Sequence, residues 1–270
     1  MNPGLTIVIT GAARGIGEAT ARRLAAAGHR VALGDLDTDL VQRVADEISG
    51  AARAAHLDVT SPDSWRAFLA ATQELGPIDV LVNNAGIMPL GQVLKEPDEV
   101  TRKIFAVNVF GIINGTKAVG PGMVERGRGH IINVASAVGR VPVADGASYA
   151  ASKFAAVGFS ESTRLELKPH GIDVTVVLPG IVRTELAAGV PDARGLKSLQ
   201  PEDVAEVIES AIRRPRPELW VPTWTRSMAK VSGILPLRAQ EAIARAFKAD
   251  RVMSDADPVA RAAYEERARR

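Results

Sequence analysis

Short β-branched runs alternate with longer Ala-, Leu- and Arg-rich segments from residue 5 to about residue 222 of this 270-residue chain. LTIVIT (5–10), RVALGD (30–35), RAAHLDV (53–59), DVLVNNA (79–85), HIINVAS (130–136), DVTVVLPG (173–180) and LWVP (219–222) read as strands. Several are apolar enough to be buried on both faces. Helical patterns fill the intervals at 15–28, 37–48, 62–75, 97–127, 147–168 and 201–214. Such alternation predicts an α/β fold, a doubly wound parallel sheet of about seven strands with helices on both faces. In sheets of this kind ligands bind beyond the carboxyl ends of the strands, so the chemistry is expected just after them.

After the first strand comes TGAARGIG, where Gly11, Gly15 and Gly17 open a helix. Glycines let the backbone approach a pyrophosphate, and the helix N-terminus stabilises its negative charge. A tight strand-to-helix turn would use the same residues, but here a buried strand precedes the loop and an amphipathic helix follows it. The spacing is GxxxGxG, not GxGxxG. Asp35 ends the second strand, where a carboxylate can accept from both adenosine ribose hydroxyls and repel a 2′-phosphate. That favours NAD, although Asp at a strand end also serves as a helix N-cap. Arg14, inside the glycine loop, pulls toward NADP, since a cation there could face the 2′-phosphate. Asp58 and Val59 close the third strand and are expected against the adenine.

One of the two tyrosines, Tyr149, stands four positions before Lys153 in ASYAASKF. On a helix these side chains share a face. A phenol with a pKa near 10 is a poor proton donor at neutrality, and a unit charge at about 4 Å contributes about 4 kcal/mol at an effective dielectric of about 20. The expectation is that Lys153 draws Tyr149 down toward pH 7–8. Alone, the pair is equally an ordinary piece of helix surface.

Composition excludes other chemistries. The chain has no cysteine, which removes disulfides, thiolate metal sites and a cysteine nucleophile. The four histidines, His29, His56, His130 and His170, fall in no metal-ligand spacing, so no metal is expected. The 33 basic and 31 acidic residues are scattered, which argues against nucleic acid as a partner. With 46% hydrophobic residues, no long apolar run and a strand-like segment beginning at Leu5, a soluble cytoplasmic protein is expected.

TGAARGIG, NNAG (83–86), Ser136, YAASK thirteen residues later and PGIVRT (179–184) together resemble the classical short-chain dehydrogenase/reductase family, in order and over roughly residues 5–222. The resemblance implies a single-domain Rossmann-type fold and a catalytic group of Asn108, Ser136, Tyr149 and Lys153. In that group Ser136 would position the substrate oxygen, and Tyr149 would act as general acid in ketone reduction and general base in alcohol oxidation. Lys153 would tune Tyr149 and hold the nicotinamide ribose, and Asn108 would hold a water linking the lysine to solvent. Cofactor contacts carried over are Gly11, Arg14, Gly15, Ile16, Gly17, Asp35, Asp58, Val59, Asn84, Ala85, Gly86, Tyr149, Lys153, Pro179, Gly180, Val182 and Thr184. NAD is the favoured cofactor and NADP the alternative. A cofactor-sensing protein without turnover is the rival reading, and it has no need of all four catalytic residues.

Substrate choice rests on the loops. Met88, Val138, Val143, Ile181 and Leu186 could line an apolar pocket for a lipophilic secondary alcohol or ketone, steroid-like, long-chain or alicyclic; they could equally be core. Residues 1–222 read as the dinucleotide-binding and catalytic domain and 223–270 as a helical C-terminal extension. Three readings fit residues 224–249 of that extension: a cover for the substrate cleft, a subunit contact, or an amphipathic membrane-surface helix, the last not favoured. Tyr264, in the terminal helix, reads as packing. A homodimer through the helices at 97–127 and 147–168, or a homotetramer, is expected.

Overall fold

The computed structural model describes residues 4–48, 50–192, 197–227, 229, 235–246 and 251–269. Its centre is one parallel sheet ordered β3-β2-β1-β4-β5-β6-β7. The strands are β1 Thr6–Thr10, β2 Arg30–Asp35, β3 Ala52–His56, β4 Val80–Asn83, β5 Gly129–Val134, β6 Ile172–Pro179 and β7 Glu218–Val221. The helices between them are α1 Gly15–Ala26, α2 Thr38–Glu47, α3 Pro62–Ala71, α4 Asp98–Phe105, α5 Gly111–Arg126, α6 Ala147–Leu167 and α7 Pro201–Arg213. Among the described residues, helices over Leu237–Ala246 and Pro258–Arg269 follow the sheet.

The period-2 alternation of each strand divides the core between the two faces. Ile7, Ile9, Val80, Val82 and Ile132 pack with Leu24, Val41, Val44, Val204 and Ile208, so α1, α2 and α7 cover one face. Val8, Leu81 and Ile131 point the other way, onto Trp65 and Phe68 of α3 and Val119 and Met123 of α5. Ile112 of α5 and Ala156 and Val157 of α6 extend that second layer over Val176 and Leu178. Because both faces are covered, residues on opposite sides of one strand are equally buried. The strands therefore read as unbroken apolar runs.

Local chemistry sets the element ends. Ser61 caps α3, accepting from Ser64 N, with Pro62 at the first helical position. Gly127, at φ 64°, ends α5 in the left-handed conformation that favours glycine. The third strand stops at His56, three residues short of the sequence expectation. At the sheet edge it pairs with β2, whose last residue, Asp35, lies opposite His56 and accepts a final bond from Leu57 N, so Asp58 and Val59 have no strand to join and run on past the sheet. The helical region expected at 97–127 is interrupted by a π-helical segment, Ala106–Phe110, between α4 and α5.

Beta1 and β4 are neighbours, and from them the chain winds in opposite directions across the sheet. Their carboxyl ends open into a cavity of about 1550 Å³. Among the described residues, no helix is long and apolar enough to cross a membrane.

Candidate active site

The glycine loop wraps the end of β1. Gly11 and Gly15 have φ of 65° and 57°, which L side chains rarely adopt. At Gly17 a Cβ would lie 2.0 Å from Gly11 O, so the first turn of α1 sits directly on the loop. Arg14 at the N-cap makes no side-chain cap, which leaves the opening amides of α1 without a side-chain partner and facing the cavity. Bare amides at a helix start, on a loop where a side chain would not fit, form a cradle suited to a pyrophosphate. Asn84 fastens it from the next strand: its Nδ2 donates to Thr10 O at 2.9 Å and Gly11 O at 3.1 Å. In return Thr10 Oγ1 accepts from the amides of Asn84 and Ala85. Thr184 packs against the other side, its Cγ2 3.0 Å from where a Gly15 Cβ would stand.

At the end of β2 the structure separates two acidic roles that the sequence left merged. Asp37 is the N-cap of α2, accepting from Leu40 N, so Asp35 is free of capping. The Asp35 carboxylate lines the cavity and, among the described residues, accepts from the amides of Ala13 and Asp37, at 3.0 and 3.1 Å. Arg14 does not stand as a free cation. Its guanidinium is 2.6 Å from Asp37 and 3.4 Å from Glu185. Asp58 and Val59 reach the cavity from the loop beyond β3, where Asp58 Oδ1 is taken by the amide and hydroxyl of Thr60.

Tyr149 and Lys153 lie in the first turns of α6, both buried, with the Lys153 nitrogen 5.8 Å from the centre of the Tyr149 ring. Ser136, two residues past β5, caps a short 3-10 turn by accepting from Val138 N, and its hydroxyl lies on the cavity lining with Tyr149. Lys153 donates to Val134 O at 3.2 Å. The expected lowering of Tyr149 does not occur in the protein alone: burial pushes it up to about 12, against the opposing influence of the Ser136 hydroxyl. Burial likewise lowers Lys153 to about 8. Desolvation of both groups outweighs their mutual attraction across 5.8 Å.

Asn108 lies in the π-helical segment and is fully buried. Its Oδ1 accepts from Ile87 N at 2.8 Å, and its Nδ2 donates to Ile87 O at 2.9 Å and Ser152 Oγ at 3.0 Å. Ser152 in turn donates to the main-chain oxygen of Tyr149. Asn108 thus joins the loop after β4 to the turn that carries the tyrosine. It stands behind the cavity wall with Gly17; every other site residue expected from the sequence lines the cavity, including Ile16, Gly86, Pro179, Gly180 and Val182.

The five expected substrate residues, Met88, Val138, Val143, Ile181 and Leu186, also line it. Residues that sequence reasoning missed close the cleft from the C-terminal side. Val252, Met253, Tyr264 and Arg267 are on the lining, and Met253 packs with Met88 and Tyr149. Tyr264 is not mere packing, because its oxygen accepts from Met88 N at 2.7 Å. Arg261, 3% exposed, donates to the main-chain oxygens of Met88 (2.7 Å), Leu186 (3.1 Å) and Ala188 (3.0 Å). Its other partner is Glu265, which also accepts from Leu90 N. In sequence these are charged residues four apart on an Ala-rich helix, a pattern of exposed helix surface, and no local signal marks them. Of residues 224–249, those at 228, 230–234 and 247–249 lie outside the described residues. Thr225, Ser227, Ala229, Leu235, Glu241 and Arg245 reach the cavity lining.

The family model for short chain dehydrogenases matches residues 5–195. A 3-alpha-(or 20-beta)-hydroxysteroid dehydrogenase from Mycobacterium bovis is 40% identical over 190 residues, 70% of this chain and 73% of that protein. The 2,5-dichloro-2,5-cyclohexadiene-1,4-diol dehydrogenase LinX of Sphingobium indicum is 39% identical over 192 residues, covering 70% of this chain and 77% of its own length. The crystal structure of a short chain dehydrogenase/reductase from Burkholderia phymatum in complex with NAD superposes with a TM-score of 0.78 at 25% identity, over 85% of this chain and 93% of that one. With the glycine cradle, the serine and tyrosine hydroxyls and the lysine drawn to one cavity on a seven-stranded parallel sheet, the chain belongs to the short chain dehydrogenase family and is an oxidoreductase acting on CH–OH groups.

Proposed function

We propose that the protein interconverts a lipophilic secondary alcohol and its ketone, with NAD as cofactor and Tyr149 as the group that gives or takes the proton. The observation that carries this reading is the convergence of Ser136, Tyr149 and Lys153 on one cavity, between the glycine cradle and a wall of Met88, Val138, Val143, Leu186 and Met253. Nicotinamide, when bound, supplies or accepts the hydride. The protein's residues supply the proton and the orientation. Burial keeps Tyr149 protonated, as an acid for ketone reduction requires, and Ser136 holds the same substrate oxygen. In the oxidative direction the Lys153 charge, 5.8 Å from the ring, favours the phenolate that a base requires. Asn108 keeps both elements in register through Ile87 and Ser152.

NAD is favoured over NADP because Asp35 would repel a 2′-phosphate while the charge of Arg14 is already paired with Asp37 and Glu185. The hydroxysteroid and cyclic diol named for the two relatives are alcohols on hydrocarbon rings, in keeping with the apolar wall. Residues 1–222 form the cofactor and catalytic unit in this reading, and 223–270 cover its cleft. The working assembly is a homodimer through α5 and α6, on which Phe110, the residue before α5, and Phe154 are exposed.

The test is to mix the protein with NAD and a panel of alcohols and follow reduced nicotinamide, with Tyr149→Phe as control and NADP in parallel. Faster turnover of small polar polyols than of every lipophilic alcohol would defeat the substrate reading. Tight NAD binding without turnover on a broad panel would favour a cofactor sensor.

A further inference from the structure

The helix Pro258–Arg269 brings a second phenol to the substrate end of the cavity. Tyr264 is buried, and its oxygen lies 2.7 Å from Met88 N. A main-chain N–H can only donate, so the phenol oxygen is the acceptor there and its own proton needs another partner. Among the described residues none accepts it. The cluster around Met88 holds Leu90, Val138, Val143, Leu186, Val190 and Met253, whose side chains carry no oxygen, together with Tyr149, whose hydroxyl makes no hydrogen bond to Tyr264. The ring is flanked by the guanidinium groups of Arg261 at 5.1 Å and Arg267 at 5.9 Å, which draw electron density from it and strengthen the hydroxyl as a donor. Burial raises the Tyr264 pKa far above that of a free phenol, so the proton stays in place at any working pH. A hydroxyl on the cavity lining whose proton has no protein acceptor is available to a ligand oxygen.

We propose that the Tyr264 hydroxyl is a substrate-binding group that donates its proton to a second oxygen of the substrate, remote from the carbon that exchanges hydride. The substrate class is then a lipophilic compound with two oxygen functions: a diol, a hydroxyketone or a diketone. Tyr149 engages the reacting oxygen, and Tyr264, on the lining of the same cavity, selects for the other. This inference rests on the alcohol and ketone reading above and narrows it.

The experiment uses ketones in size-matched pairs: 4-hydroxycyclohexanone against 4-methylcyclohexanone, and a steroid ketone bearing a distal hydroxyl against the same skeleton without it. The wild-type protein should favour the oxygenated member of at least one pair by about tenfold in kcat/KM, chiefly through KM. In Tyr264→Phe that ratio should fall to about one. A merely structural loss would lower both members of a pair together and leave the ratio standing. No preference in either pair, or a preference that survives Tyr264→Phe, overturns the proposal. Since the chain has only two tyrosines, global 3-fluorotyrosine labelling gives a readout that does not depend on the variant's folding or on turnover. The fluorine resonance of Tyr264, assigned by its persistence in Tyr149→Phe, should move with the oxygenated ketone and not with its partner. Equal movement with both overturns the contact. Movement with the oxygenated ketone alone, in a protein that turns over neither, supports the contact and defeats the redox reading instead.

Discussion

Arg261 Nη2 lies 2.7 Å from the main-chain oxygen of Met88, a contact between residues 173 positions apart that closes the cavity around Tyr149. Through Leu186 O and Ala188 O the same guanidinium also holds the loop after β6, so one side chain ties two cleft walls to the C-terminal helix. Arg261→Ala would leave these oxygens without their donor, while Glu265 keeps Arg269 and the Leu90 amide, and we expect a loss of about 2 kcal/mol in urea unfolding. Arg261→Lys should recover less than half of it, because a point charge on a flexible stem cannot serve three carbonyls in the way a planar fork does. A loss under about 1 kcal/mol for the alanine variant would contradict the clamp.

Lys153 sits at about 8 and Tyr149 at about 12 in the protein alone. Reduction needs the tyrosine protonated, which holds throughout, and benefits from the lysine charge, which is present below pH 8 and lost above it. We expect kcat/KM for ketone reduction to be level below about pH 8 and to fall above it. Lys153→Arg should move the fall to higher pH, because a guanidinium keeps its charge. A wild-type profile level to pH 10 would count against this assignment.

Asp35 governs the choice of nucleotide in the proposed reading. Asp35→Ser removes the charge that opposes a 2′-phosphate and should lower the ratio of NAD to NADP efficiency by about tenfold or more. An unchanged ratio would place the preference elsewhere in the loop.

His130 is buried beneath the sheet's second layer, its Nε2 2.8 Å from Thr175 Oγ1. Thr175 gives its own proton to Arg216 O, so the histidine donates from Nε2, and Nδ1 is left bare with no partner among the described residues. Burial lowers its pKa to about 4. The unfolded chain, titrating near 6.5, binds the proton first, so stability is full above about pH 6.5 and declines as pH falls toward 4. The loss is on the order of 3 kcal/mol from this residue. In His130→Gln the urea midpoint should vary less over that range; an identical slope would remove His130 as the cause.

Phe110 is 56% and Phe154 44% exposed at the start of α5 and on α6, an expensive use of aromatic surface for an isolated chain. Phe154→Glu should shift the mass measured by light scattering from dimer to monomer with little change in melting. A wild-type chain already monomeric at micromolar concentration would refute the proposed assembly.

What could be read from the sequence is what neighbouring residues decide. The strand and helix order follows from runs of apolar residues and their periods, and the glycine loop, Asp35, NNAG, Ser136, Tyr149 and Lys153 stand at strand ends or helix starts where chain order alone puts them. Spacing could not set the balance of forces between those groups. The four-residue interval brought Lys153 beside Tyr149, but the packing of α6 over β6, with Met88 and Met253 against the tyrosine, buried both, and desolvation reversed the expected direction of the tyrosine's shift. The third strand ended early because its only neighbour ended, which is a property of the pairing and not of residues 53–59. Tyr264 and Arg261 were the least legible. Their roles depend on contacts with Met88 across more than 170 positions, and a helix rich in Arg, Glu and Ala looks solvent-exposed until a fold supplies carbonyl oxygens for its arginine and an apolar cleft for its tyrosine. Local sequence determined the machinery for cofactor and proton; long-range packing, which alone fixes what is removed from water, decided the shape of the substrate pocket and the protonation of its tyrosines.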